Sequence, residues 1–90
     1  MFSLNIMNFP QYRKRFDNKA FYKVTSFKAF EEIQLIGKRF FFLNVHADKY
    51  FEKLRVQELL EVDNNLYTEC SKEEFNKIEQ LANEYLSRKK

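Results

Sequence analysis

Six consecutive residues constrain the fold of this chain more than any other part of the sequence. Positions 40–45 read FFFLNV, a run of strand-forming residues without glycine or proline. The run predicts a strand over 38–47. It is far shorter than the ~20 apolar residues that a helix needs to cross a bilayer. Apolar side chains occupy both parities, and an edge strand would need charges or proline to deter further pairing. We therefore expect a central strand with both faces covered.

Two shorter segments, 20–24 and 66–70, also carry strand-forming residues. After the first of them, apolar residues recur at every third position over 27–36, with glutamate and glutamine between them, which predicts an amphipathic helix. Gly37 follows directly, and glycine at that place is typical of a helix that ends in the left-handed conformation. We therefore interpret Gly37 as structural and not as a ligand-binding glycine.

The second half of the chain predicts a middle helix and a last helix. Apolar residues at helical spacing run over roughly 51–62, although 53–56 also fits an alternating strand. A turn is expected at 63–65. The last helix starts with a capping box, in which Ser71 and Glu74 satisfy each other's backbone amides, and runs almost to the end of the chain. Together the elements predict a small single α+β domain of about three short strands alternating with two or three helices.

Charge is distributed unevenly along the chain. Residues 11–28 hold six bases and one acid, whereas residues 56–90 hold eight acids and five bases. The bases before the first strand predict a basic and aromatic N-terminal arm over residues 1–18, followed by one α+β domain over residues 19–90. Such an arm attracts phosphates or an acidic protein surface, although charge on a small domain also serves solubility alone.

The start of the sequence has no basic segment, no long apolar core and no small-residue cleavage site, so we expect no signal peptide. Met7 offers an alternative start. Cys70 is the one cysteine and therefore has no partner for an internal disulfide. A chain of this kind is typical of the reducing cytoplasm, and we expect it to have no membrane association.

Most catalytic and cofactor-dependent functions lack the residues they need. A structural zinc site takes four Cys or His ligands, and the chain has only His46 and Cys70. Phosphate-binding loops need several glycines, and Gly37 is the single one. Cys70 has the inward parity of a strand, where a lone cysteine is usually a small buried hydrophobe. We therefore expect no metal, no cofactor and no enzymatic activity.

The basic run and its aromatic neighbours are the candidate binding residues, because interfaces favour arginine and aromatic side chains. The candidates for partner binding are Tyr12, Arg13, Lys14, Arg15, Phe16, Lys19 and Lys23. They favour a non-enzymatic module that binds a larger protein or ribonucleoprotein, or alternatively a protein that binds single-stranded RNA or DNA directly. A structural role is equally compatible, with the aromatics on the core and the bases in water. A homodimer through an uncovered sheet face or the last helix is a third hypothesis.

Several segments resemble those of a family of small single-domain proteins of Bacteroidetes bacteria. The similar segments are 9–14 (FPQYRK), 21–24 (FYKV), 30–34 (FEEIQ), 38–47 and 70–75 (CSKEEF). The resemblance implies a protein without known enzymatic activity that is often encoded near phage and mobile-element genes. It also implies an interaction protein, including an inhibitor of the anti-CRISPR type that binds a host nuclease.

Overall fold

The computed structural model describes residues 8–61 and 66–88. Five strands and two helices follow along the chain as β1 (Gln11–Arg15), β2 (Ala20–Ser26), β3 (Ala29–Ile36), β4 (Arg39–His46), α1 (Tyr50–Leu60), β5 (Tyr67–Glu69) and α2 (Lys72–Arg88). The strands form one antiparallel sheet in the order β4-β3-β2-β1-β5. The predicted α+β class is confirmed, but the strands outnumber the three that the sequence suggested.

The two helices cover opposite faces of the sheet, here called the α1 face and the α2 face. Val56 and Leu59 of α1 are buried in a cluster that contains Tyr22. Phe75 of α2 is buried in a second cluster that contains Phe21. Successive residues of a strand point to opposite faces, so the neighbours Phe21 and Tyr22 enter different clusters. Full burial of each such side chain stabilises the fold by about 1.5–3 kcal/mol.

The segment 27–36, predicted as a helix, is instead the strand β3 after a turn. Phe30 and Ile33 are an odd number of positions apart, so a strand directs them to opposite faces. Phe30 joins the α1-face cluster and Ile33 joins the α2-face cluster. Because both faces are covered by a helix, apolar residues at both parities are satisfied in a strand. The spacing of three therefore does not distinguish this buried strand from one stripe of a helix.

Gly37 lies in the two-residue turn between β3 and β4, where Ile36 pairs with Arg39. Its φ is +63°, in the left-handed region that favours glycine. Glycine at the first central position is typical of tight hairpin turns. Its role is thus structural, but it ends a strand and not a helix.

β4 is confirmed as a strand, but it lies at an edge of the sheet, so the prediction of a central strand is wrong. Eight residue pairs join it to β3, and within the described residues no strand pairs with its other side. Its apolar residues at both parities reflect two helix layers, since Val45 packs on the α1-face cluster and Phe40 on the α2-face cluster. Phe41, Phe42 and Leu43 keep 43%, 41% and 41% exposure.

Both predicted helices of the second half are confirmed. Glu52 Oε1 accepts the backbone amides of the two residues that precede α1, each at 3.1 Å. Ser71 Oγ accepts the Glu74 amide at 3.0 Å, which is one half of the predicted capping box. Neither helix in the described ranges has the length and apolar character of a membrane span. The predicted turn at 63–65 lies outside the described residues.

Candidate functional site

The basic run of the sequence is an interior strand of the sheet. Residues 11–15 form β1, which pairs with β2 on one side and with β5 on the other. The described part of the expected arm therefore belongs to the domain itself. Strand alternation sends Arg13 and Arg15 to the α1 face and Tyr12 and Lys14 to the α2 face. These candidates are divided between two surfaces and do not form one continuous contact area.

Arg13 is buried, with 5% exposure. Its Nε donates to the Leu59 carbonyl oxygen at 2.7 Å, and its Nη1 donates to the Tyr12 carbonyl oxygen at 2.8 Å. Leu59 lies in the last turn of α1, where carbonyls lack helical partners and a cation complements the helix dipole. Burial lowers the pKa of the guanidinium from its ordinary value, and Glu69, opposite Arg13 on β5, raises it in part. Arg13 thus ties β1 to the end of α1.

The other two bases of the run also have partners within the domain. Lys14 Nζ lies 2.8 Å from Glu74 Oε2 of α2, and this hydrogen bond raises the pKa of Lys14. Arg15 Nε lies 2.9 Å from Asp17 Oδ1. That hydrogen bond raises the pKa of Arg15 and lowers the pKa of Asp17. Solvent screens both pairs, so they orient the side chains more than they stabilise the fold.

The remaining candidates differ in how far solvent reaches them. Tyr12 packs on Phe75 of α2, with ring centroids 5.3 Å apart. Lys23 is half-buried on β2. Lys19 is exposed in the turn between β1 and β2, and Phe16 keeps 65% exposure. Phe16 and Lys19 are thus the exposed members of the predicted set.

A buried polar cluster beneath α1 escaped sequence analysis. Glu32 is 4% exposed, accepts a hydrogen bond from Gln34 Nε2 at 2.9 Å and lies 4.0 Å from Arg55 Nη1. Burial raises the pKa of the neighbouring Tyr22 well above its ordinary value, and Glu32 raises it further. The sequence signal for this cluster is that Glu32 lies two residues after Phe30, which in a strand places both side chains on the same face. That signal could not be used while the segment was predicted to be a helix. Because Tyr22 and Glu32 are closed to solvent, the cluster supports the fold and does not meet a substrate.

Cys70 and His46 occupy unlike environments. Cys70 is half-buried against the α2-face cluster. Burial raises the pKa of its thiol to about 11, with a further contribution from Glu74. The nucleophilic form of cysteine is the thiolate, so the raised pKa lowers the reactivity of this thiol at neutral pH. His46 is exposed at the end of β4. Across 8–61 and 66–88, no three His, Cys, Asp or Glu side chains are grouped closely enough to hold a metal ion.

The most exposed aromatic side chains of the described residues lie on α1. Tyr50 is 71% exposed and Phe51 is 79% exposed. Their rings contact edge to face, with centroids 5.6 Å apart and planes at 73°. At about 100° per residue, Tyr50, Phe51 and Leu54 project on the opposite side of the helix from the buried Val56 and Leu59. These three residues, 50, 51 and 54, are called the α1 aromatic surface below.

Comparisons of this chain with protein-family models, curated proteins and solved structures found no match. The surface chemistry of the domain is therefore the basis for assigning its function.

Lysines border the α1 aromatic surface. Lys49 immediately precedes α1, and Lys53 follows it by one helical turn. Sequence analysis missed this surface because it noted only the helical spacing of the apolar residues over 51–62 and not the side of the helix on which each one lies. The available signal was angular, since on a helical wheel Leu54 lies about 140° from Leu59 and Phe51 lies about 140° from Val56. Helix α1 therefore carries apolar residues on two sides, one packed on the core and the other exposed.

Proposed function

We propose that this chain is a non-enzymatic protein-binding module that contacts its partner through the α1 aromatic surface. The observation that carries the proposal is the exposure of Tyr50 and Phe51 on the helix side opposite the core. Binding energy at interfaces concentrates in a few aromatic and arginine side chains. Covering each ring in a complex would contribute about 1.5–3 kcal/mol from apolar burial alone.

The surroundings of the aromatic pair suggest the chemistry of the partner. Lys49 and Lys53 place positive charge beside the rings, so an apolar pocket bordered by carboxylates would be complementary. The partner class is a larger protein or ribonucleoprotein. The narrower form, an anti-CRISPR type inhibitor of a host nuclease, is supported only by the resemblance to the Bacteroidetes family.

Direct binding of single-stranded RNA or DNA by the basic run is less well supported. Arg13 is buried, and Lys14 and Arg15 have intramolecular partners on different faces of the sheet. Exposed aromatic rings beside lysines can stack on bases, so nucleic acid is retained as the competing outcome of the experiment. Its affinity would fall steeply with added salt because phosphate contacts release counterions.

The proposal is tested by capture from a Bacteroidetes lysate with the tagged chain, with and without nuclease. Phe51→Ala is compared with Phe16→Ala, which removes the same ring from another exposed position. We expect the wild type and Phe16→Ala to retain a protein after nuclease treatment, and Phe51→Ala to lose it at least tenfold. Both substitutions should change the free energy of unfolding by less than about 0.5 kcal/mol, because both rings are exposed.

Equal capture by Phe51→Ala and the wild type would remove the α1 aromatic surface from the proposal. Capture that disappears with nuclease would replace protein binding by nucleic-acid binding. Loss of the partner in Phe16→Ala alone would return the interface to the basic run of the sequence.

A further inference from the structure

The outer side of β4 carries backbone groups that no strand of the described residues uses. The two-residue turn before β4 makes Ile36 and Arg39 the closing hydrogen-bonded pair of the hairpin. Hydrogen-bonded and non-hydrogen-bonded pairs alternate along an antiparallel ladder. The N–H and C=O groups of Phe40, Phe42 and Asn44 therefore point away from β3. They form a regular series of donors and acceptors on an open edge.

Between its first and last residues, Arg39 and His46, β4 lacks the features that usually keep sheet edges apart. Exposed edges are commonly protected by charges, proline, bulges or very short strands. Residues 40–45 contain no charged residue and no proline, and the register with β3 is uninterrupted over the length of the strand. Phe41 and Leu43 are partly exposed on the α1 face, and Phe42 is partly exposed on the α2 face. A strand added to this edge would cover apolar side chains on both faces.

We propose that β4 pairs antiparallel with β4 of a second copy of this chain, so that two five-stranded sheets join across a two-fold axis. The strand is self-complementary in a register centred on Leu43. In that register Phe42 lies opposite Asn44 of the other copy, and both use their outward backbone groups. On the α1 face the same register places Phe41 opposite Val45, which is a favourable apolar cross-strand pair.

Charge at the two ends of the strand selects the second copy as the occupant. Lys38 immediately precedes β4, and Asp48 follows it by two residues. Antiparallel pairing centred on Leu43 brings Lys38 of each copy to the level of Asp48 of the other. Two opposite-charge contacts therefore flank the apolar centre, and the two-fold axis makes them equivalent.

The geometry predicts a closed dimer and not a fibre. The opposite edge of the sheet is β5, which has only three residues and includes Glu69. A short charged edge resists further pairing. The proposed dimer contact does not use the side chains of Tyr50 and Phe51, so this inference does not depend on the proposed function.

The test is sedimentation equilibrium of the full chain, alone, from about 1 to 100 μM, a range that reports micromolar self-association. We expect a concentration-dependent equilibrium between monomer and dimer. Asn44→Pro removes one outward N–H while the bonds to β3 stay intact, and Asn44→Ala removes the side chain but keeps that N–H. Asn44→Pro should be monomeric at every concentration, and Asn44→Ala should dimerise like the wild type. A cooperative unfolding transition by circular dichroism confirms that each variant is folded.

Charge reversal tests the register without a proline. Lys38→Asp alone and Asp48→Lys alone should each weaken the dimer about tenfold, because each places like charges together at both ends. The double reversal should restore the wild-type dissociation constant within about twofold. Within one chain the two positions are separated by the length of the strand, roughly 30 Å at 3.3 Å per residue, so restoration must occur between copies. A monomer at all concentrations, or a dimer unaffected by both Asn44→Pro and the reversals, would overturn the proposal.

Discussion

Replacement of Arg13 by methionine is expected to destabilise the domain strongly, although Arg13 belongs to the basic run that sequence analysis offered as a candidate for partner binding. The side chain is 5% exposed and donates to the Leu59 and Tyr12 carbonyl oxygens at 2.7 and 2.8 Å. Methionine preserves most of the apolar contact of the arginine stem and removes all of its donors. The substitution therefore isolates the contribution of the guanidinium.

The expected loss is about 3 kcal/mol in the free energy of unfolding. A hydrogen bond from a charged donor contributes about 1.5–3 kcal/mol, and a buried carbonyl left without a donor costs about 1–3 kcal/mol. The gain from the hydrogen bond and the cost of the unpaired carbonyl overlap, because both concern the same bond, so their full sum would overestimate the loss. For a domain of this size, about 3 kcal/mol lowers the melting temperature by about 12–24 °C. Urea unfolding followed by circular dichroism measures the change directly.

Arg15→Met is the matched control, because Arg15 shares the strand and the α1 face with Arg13. Its pair with Asp17, at 2.9 Å, is screened by solvent and should contribute much less than the buried hydrogen bonds of Arg13. A loss in Arg13→Met no larger than the loss in Arg15→Met would refute a structural role for Arg13. It would also return Arg13 to the set of free binding residues.

Three further outcomes are expected. Burial raises the pKa of the Cys70 thiol to about 11, so at pH 8 this thiol should react with a thiol reagent about a hundredfold more slowly in the folded chain than in urea, and equal rates would contradict its burial. The contribution of the buried thiol to the free energy of unfolding is present below the ordinary thiol pKa and falls as the pH rises towards 11. Gly37→Ala should cost about 1–2 kcal/mol, because φ is +63° and no crowding surrounds the position; an unchanged melting temperature would contradict the turn geometry. Phe75→Ala, at 1% exposure, should cost about 3–5 kcal/mol in urea unfolding, and a loss below about 1 kcal/mol would contradict its place in the core.

The sequence predicted β2, β4, β5 and both helices, because each has a local signal that survives folding. The capping box at Ser71 and the strand-forming run at 40–45 depend on neighbouring residues alone. The error at β3 has a different origin. A strand covered by a helix on each face carries apolar residues at both parities, and spacing of three fits that pattern and a helical stripe equally well.

Two further errors come from long-range pairing. Central and edge positions of β4 require the same apolar pattern when two helix layers cover the sheet, so the sequence does not distinguish them. β1 has no alternation of polarity, because its inward Arg13 is satisfied by a backbone carbonyl of α1 and its Lys14 by Glu74 of α2. Neither partner lies within 45 residues of its base in the chain, so no local pattern indicates them.

The candidate surface was partly within reach of sequence analysis. On a helical wheel over α1, Tyr50 and Leu54 lie on the side opposite Leu59, and Phe51 lies about 140° from Val56. What the wheel does not show is which of the two sides faces the sheet. That choice depends on the contact of Leu59 with the α1-face cluster and on the hydrogen bond from Arg13.

Site-specific photo-crosslinking tests the protein-binding function most directly. Benzoylphenylalanine is placed at position 51 in one preparation and at position 16 in another, and each is irradiated in nuclease-treated Bacteroidetes lysate. Both positions hold exposed phenylalanines, at 79% and 65% exposure, so the probe is accessible at each. A protein crosslinked from position 51 and not from position 16 is the predicted result. Crosslinking from position 16 alone, or none from position 51, would contradict the assignment of the α1 aromatic surface as the interface.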